Sequence, residues 1–307
     1  PPWTKPPPPP TSPPPSPPPP PPLSPTALAA EEAARAGQRC AARTAGVLIV
    51  GDEILSGKTP DTNTHEAAVV LQQAGVRLRR VVVVTDELDE IARELRALSD
   101  TYDVVISSGG VGPTHDDVTL KAVAAGLGRT YEHSSEMARL IDAKLGGEAQ
   151  QLPAEVARKM SMLPRGAVLR PVPEQPAEWP VLQCANVFVL PGVPTYFSSK
   201  LATLATHFLA GAAPRLYRQL SLGLPEVDIV EPLNEVVGQH EGVGFGSYPT
   251  EQGDARTIIT LEADSGSEAE LLSAVAALRA ALPERAILSE SSAAELSPQS
   301  REPRARA

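Results

Sequence analysis

The sequence predicts an α/β fold: a three-layer αβα arrangement around a mostly parallel sheet, followed by a small α+β unit. Three observations lead there. From residue 46, short β-branched runs alternate with segments of helical period. Their order is βαβαβα, which implies parallel strands with helices on both faces. After Gly211-Ala212-Ala213-Pro214 the order changes to mixed strands and helices.

The elements follow in sequence. Gly46-Val47-Leu48-Ile49-Val50 is a short apolar run ended by Gly51, a buried strand. Residues 62–74 place Ala67, Val70, Leu71 and Ala74 on one helical face, and Gly75 ends the helix. Leu78 to Val84 is a second strand. Residues 87–98 put Leu88, Ile91, Leu95 and Leu98 on one face. Asp103 to Ile106 is the third strand, 116–126 the third helix, and 134–146 another helix opening at Ser134-Ser135-Glu136. Residues 164–186 hold five prolines without a clear period and read as an irregular insertion. Asn186 to Leu190 is a further strand; Pro191-Gly192-Val193-Pro194 follows, then a helix to about Leu209. Beyond the break come strands near 216–222, 243–248 and 256–262, with helices near 226–237 and 267–281. The expected domains are therefore 44–212 and 213–288.

Both ends read as disordered. Of 34 prolines in the 307-residue chain, 17 fall in residues 1–25, a polyproline segment with little apolar surface to bury. Residues 26–45 are rich in Ala and Arg, and Glu31-Glu32 argue against a transit peptide; the disordered N-terminal tail is expected to end at residue 43. The tail 289–307 is rich in Ser, Ala and Pro. The chain opens on Pro1 rather than methionine, so it reads as a fragment or a processed chain. Two cysteines, Cys40 and Cys184, make neither a disulfide framework nor a zinc cluster and fit an intracellular setting, cytoplasmic or organellar. A net charge of −10 argues against nucleic acid as a partner. No apolar stretch is long enough to span a membrane.

In open parallel sheets, ligands bind beyond the carboxyl ends of the strands. Here those ends are followed by Gly51-Asp52-Glu53 with Asp61 and Asn63, by Thr85-Asp86-Glu87, by Ser108-Gly109-Gly110-Val111-Gly112-Pro113-Thr114-His115-Asp116-Asp117, and by Pro191-Gly192. Glycines let a backbone approach a phosphate and offer it N–H groups. Carboxylates beside a phosphate repel it unless a cation lies between, so Asp52, Asp86, Asp116 and Asp117 point to a hard divalent ion. A metal-bridged pyrophosphate with a carboxylate orienting water is an arrangement for cutting a phosphoanhydride. Each acid also has a structural reading. Thr114 and Asp117 fit a capping box, Asp86 could cap the 87–98 helix, and Asn63 with Glu66 the first helix. His115 reads as a solvated neighbour or an assisting base, like Glu53. A nucleophile elbow and a Walker loop are absent.

The stretches VGDEILSGKTPDTNT, SSGGVGPTHDDVTLKAV, LGGE, VFVLPGVP and GFGSYP together resemble the molybdopterin-binding (MoaB/Mog-like) domain of the CinA family, and most of all the N-terminal region of eukaryotic FAD synthases. The resemblance runs from about Thr44 to Leu288. It implies a MoaB/Mog-like αβα domain followed by a KH-like subdomain. It implies hydrolysis of a nucleotide pyrophosphate with Mg, Mn or Co, FAD going to FMN and AMP, with ADP-ribose as a related substrate. By motif match, Ser108, Gly109, Gly110, Gly112, Pro113 and Thr114 would hold phosphate. Asp86 and Asp117 would take the two acidic positions, with metal on Asp52, Asp86 and Asp117. Asp61, Asn63 and Gly192 would line the pocket, and Tyr248 would stack on a ring or pack. A non-catalytic molybdopterin or flavin-nucleotide module and a molybdopterin adenylyltransferase are the alternatives. The resemblance also implies a homo-oligomer. FAD synthesis is not expected of this stretch, because the synthase domain that follows in eukaryotic relatives is not in it.

Overall fold

A computed structural model describes residues 38–145, 152–173, 175, 177–213, 215–251 and 253–292. The proline-rich segment, most of the LGGE stretch and the end of the C-terminal tail lie outside the described residues.

The chain begins with β1 (Cys40–Ala41), β2 (Thr44–Val50), a single helical turn α1 (Asp52–Leu55), α2 (Asn63–Gln73) and β3 (Arg77–Val84). Next come α3 (Leu88–Thr101), β4 (Val104–Ser108), α4 (Thr119–Gly126), β5 (Tyr131–His133), α5 (Ser135–Leu145) and α6 (Ala154–Met160). The strands β6 (Met162–Pro164), β7 (Ala167–Arg170), β8 (Val181–Cys184) and β9 (Val187–Leu190) lead to α7 (Pro194–Thr203). One π-helical turn, Leu204–Phe208, then gives way to β10 (Leu209–Ala210). The last elements are β11 (Leu216–Leu222), α8 (Val230–Gln239), β12 (Gly244–Pro249), β13 (Thr257–Ala263), α9 (Glu268–Ala281) and β14 (Ile287–Ser292).

Six strands form the main sheet in the order β3-β2-β4-β9-β8-β7. The strands β4 and β9 run parallel, Val105 opposite Val187 and Ser108 opposite Leu190. At one edge β8 and β7 add an antiparallel extension. The sheet is thus mostly parallel with a mixed edge. Val104, Val105, Ile106, Val187 and Phe188 are wholly buried, as central strands covered on both faces must be. Ile91, Leu95 and Leu98 of α3 supply the helical side of this core, on the face their spacing predicts.

The helix α3 ends against Asn186, at the start of β9. The Asn186 side-chain N–H groups donate to Ser99 O at 3.0 Å and Tyr102 O at 2.9 Å. Its Oδ1 accepts from Ser99 Oγ at 2.7 Å. Orphan carbonyls at a helix end are satisfied here by one amide.

A second sheet has the order β12-β13-β11-β14, antiparallel throughout. Strand β13 alternates buried and half-buried residues, one face packing on α8 and α9. Contacts gather the chain into two compact units. One holds Gln38, Val47–Asp61 and Val81–Phe197; the other holds Arg39–Gly46, Thr62–Arg80 and the residues from Ser198 onward. They interleave along the chain.

Several expectations need correction. The third helix starts at Thr119, not at 116. Residues 164–186 are not irregular: β7 and β8 pair as a hairpin, Ala167 opposite Cys184. Order begins before residue 44, because β1 pairs in parallel with β10. It also extends past 288, because β14 pairs with β11 up to Ser292 opposite Arg218. No described helix is long and apolar enough to cross a membrane.

Candidate functional site

The carboxyl ends of β2, β3, β4 and β9 meet. Gly51 N–H donates to Val84 O at 3.1 Å, joining the ends of β2 and β3. Gly109 N–H donates to Leu190 O at 3.3 Å, joining β4 to β9. Ser108 Oγ reaches Pro191 O at 3.4 Å. A Cβ on Gly109 would sit 2.1 Å from Val50 O, and one on Gly192 would sit 3.1 Å from Gly109 Cα. Backbone therefore lies on backbone along this edge.

After β4 the chain turns through two left-handed glycines, Gly109 at φ 100° and Gly110 at φ 64°. Buried Thr119 clamps both: its Oγ1 donates to Gly109 O at 2.9 Å, and its N–H to Gly110 O at 3.0 Å. Among the described residues, the N–H groups of Gly110, Val111 and Gly112 find no acceptor in the chain. Consecutive donors left in this way on a glycine turn are the makings of an anion cradle.

The acids surround that turn. Thr114, His115, Asp116 and Asp117 form a closed turn, with Asp117 N–H donating to Thr114 O at 3.1 Å. Asp117 Oδ2 accepts from Thr114 N–H at 2.8 Å and from Thr114 Oγ1 at 2.5 Å. Thr114 Oγ1 also lies 2.5 Å from Asp116 Oδ1. The Thr114–Asp117 pair has the reciprocal bond of a capping box, yet it closes the turn before α4 rather than capping it. The Thr114 hydroxyl, before any other group, holds the Asp116 carboxyl below its ordinary value. His115 is 98% exposed, its Nδ1 3.9 Å from Asp116 Oδ1.

Asp86 does not cap α3. Its Oδ2 accepts the backbone N–H of Asp52 at 2.9 Å, while Glu87 stands at the helix cap without a side-chain bond. Burial, followed by the charges of Asp52, Glu53 and Asp116, pushes the Asp86 carboxyl above its ordinary value against the lowering effect of that hydrogen bond. Glu90 reaches back to Thr85, accepting from its N–H at 3.3 Å and from its hydroxyl. Asn63 is the buried first residue of α2, so it does not cap that helix either; Asp61 is half-buried. Tyr248 lies in β12 in the other compact unit, 55% exposed.

Lys159 had no sequence signal. It lies 45 residues from Thr114 in the chain, on α6, and its Nζ donates to Thr114 O. Its charge also favours ionised Asp116. The loop thus carries its own cation.

Among the described residues, no group of three or more His, Cys, Asp or Glu side chains is set to hold a metal ion. Asp52, Asp86 and Asp117 do not form a ready cage. The donors are nonetheless hard oxygens, and a small divalent ion commonly uses one or two carboxylates with substrate phosphates and water completing its shell. The acids around Asp86 fit that second kind of site.

The family described as "Probable molybdopterin binding domain" matches residues 46–211. The chain belongs to that family. Residues 214–291 match "FAD synthase, middle domain". A "Probable FAD synthase" of Caenorhabditis briggsae is 33% identical over 255 residues, covering 76% of this chain and 48% of that protein. One of Caenorhabditis elegans is 31% identical over 249 residues, covering 74% and 48%. The chain thus spans about half the length of these curated relatives. A protein of Pyrobaculum arsenaticum is 34% identical over 234 residues, 74% of this chain and 88% of its own. Among solved structures, CinA from Thermoplasma acidophilum is 35% identical with a TM-score of 0.47, over 53% of this chain and 96% of that one. The glycine turn and its acids lie inside the stretch that matches the molybdopterin-binding domain family.

Proposed function

We propose that this edge hydrolyses a nucleotide pyrophosphate, FAD being cleaved with water to FMN and AMP. The observation that carries the reading is the run of N–H groups on Gly110, Val111 and Gly112 without acceptors among the described residues, beside a carboxylate of raised proton affinity, Asp86. The N–H groups and Lys159 hold the pyrophosphate oxygens. Asp86 accepts a proton from the attacking water, a role suited to a carboxylate whose pKa lies above the ordinary range. A new P–O bond forms on one phosphorus, the bridging P–O bond breaks, and the leaving phosphate departs with the nucleoside. A divalent ion held by Asp52 together with the phosphate oxygens of the substrate would supply charge neutralisation, leaving Asp86 to take the proton. The FAD synthase names of the nematode relatives agree with a flavin nucleotide as ligand.

The test is incubation of the chain with FAD and Mg²⁺, Mn²⁺ or Co²⁺, with chromatography for FMN and AMP and with ADP-ribose alongside. Metal-dependent FMN release is the expected result. One observation favours a second reading, a binding module without chemistry: Asp117, expected to be catalytic, has its Oδ2 engaged twice by Thr114. Flavin nucleotide bound without product would select that reading.

A further inference from the structure

A second charged cleft lies wholly within the other compact unit. It encloses about 570 Å³ and is lined in part by Arg43, Arg77, Arg215, Gln72, Glu262 and Asp264. Its charged lining is three guanidiniums against two carboxylates, a local excess of positive charge in a chain of net charge −10. The volume falls in the range of small-molecule sites.

The wall is rigid. Arg77 N–H donates to Arg43 O at 2.8 Å, and Ala212 N–H to Gly75 O at 3.2 Å. A Cβ on Gly75 would lie 1.7 Å from Ala212 O, and one on Gly211 would lie 1.9 Å from Ala74 O.

Arg215 is fixed by Glu262: its Nη1 donates to Oε2 at 2.9 Å and its Nη2 to Glu262 O at 3.4 Å. Its buried Nε donates no hydrogen bond among the described residues, although Asp264 Oδ1 lies 3.3 Å away. The same Asp264 oxygen lies 4.0 Å from Arg77 Nη2. Asp264 is 75% exposed, in the turn that follows β13. One solvated carboxylate thus stands between two guanidiniums without a good hydrogen bond to either. Exposed ion pairs of this kind contribute little and are readily displaced.

We propose that this cleft binds the phosphate of a mononucleotide, with Asp264 as a built-in counter-ion that gives way to it. A phosphate dianion offers several acceptor oxygens at once, which guanidiniums engage in pairs. Arg215 and Arg77 are the principal donors, Arg43 adds charge, and the remaining volume takes the nucleoside.

The experiment is calorimetric titration of the full chain with AMP, and separately with inorganic phosphate, at low salt with a chelator present. Without metal, Asp52, Asp86 and Asp116 disfavour phosphate at the glycine edge. Replacing Arg43 and Arg77 together by Ala should raise Kd for AMP about tenfold or more. Asp264→Asn should lower Kd about threefold, a gain that misfolding cannot produce. Equal gains for AMP and phosphate assign the site to the phosphate group alone; a larger gain for AMP adds nucleoside contacts. Absence of AMP binding to the wild-type chain at millimolar ligand, unchanged binding in the double variant, or weaker binding in Asp264→Asn would overturn the proposal.

Discussion

The carboxylate of Asp86 accepts the backbone N–H of Asp52 at 2.9 Å, so an acid after one strand fixes the turn after its neighbour. The bond favours the ionised form, while burial and three nearby acids favour the neutral form and prevail.

The balance sets a pH dependence. Where the folded pKa of Asp86 exceeds the unfolded one, the native state binds more protons, and stability falls as pH rises through that window. Asn at position 86 keeps an acceptor for Asp52 N–H and does not titrate. Thermal melts from about pH 3 to pH 7 should show Asp86→Asn gaining stability relative to wild type as pH rises. In the proposed reaction the same variant should lose about a hundredfold or more in kcat. A variant that turns FAD over like wild type would remove Asp86 from the chemistry.

The turn at Thr114 gives a spectroscopic prediction. Its hydroxyl is the foremost cause of the lowered Asp116 pKa. Thr114→Ala should therefore move the Asp116 carboxyl titration upward, read by carbon-detected NMR, whereas Thr114→Ser should leave it in place. Because Asp116 is lowered, its stabilising contribution is present above the ordinary carboxylate range and is lost as pH falls through the folded value; the Ala variant should lack that acid limb.

The glycines separate conformation from crowding. Gly253 has φ 64° and open space around it, so Gly253→Ala should cost only the left-handed strain, about 1 kcal/mol. Gly109→Ala adds a Cβ at 2.1 Å from Val50 O and should cost on the order of 3 kcal/mol or more. Urea unfolding of the two variants measures both.

Asn186 tests the joint between α3 and β9. Asn186→Ala leaves the Ser99 and Tyr102 carbonyls without this donor and should cost about 2 kcal/mol in urea unfolding. Lys159→Met tests the loop's own cation: KM for FAD should rise about tenfold, with kcat changing less.

Much of this was legible in the sequence. Apolar runs at 46–50 and 186–190 could only be buried strands, and Leu88, Ile91, Leu95 and Leu98 named the buried face of α3. The acids and glycines at strand ends were brought to one edge by topology alone. The hairpin of β7 and β8 was missed because its strands are four residues each and the connection between them, 171–180, carries four prolines that mask the alternation. The start of α4 was misplaced because Thr114 and Asp117 spell a cap, while the tertiary clamp at Thr119 decides where the helix begins. Lys159 and the Asp86–Asp52 bond join residues far apart in the chain, where no local pattern could announce them.

The meeting of Gly109 and Gly192 has a consequence for redesign. A Cβ on Gly192 would sit 3.1 Å from Gly109 Cα, so the neighbouring backbone would have to shift by a few tenths of an ångström, whereas one on Gly109 would meet Val50 O at 2.1 Å. At Gly109 and Gly192 the edge therefore offers a ligand main-chain atoms rather than side chains. A redesign of ligand preference would begin instead at exposed residues that follow the same strands in sequence, Leu55 after β2 and Val193 and Tyr196 after β9.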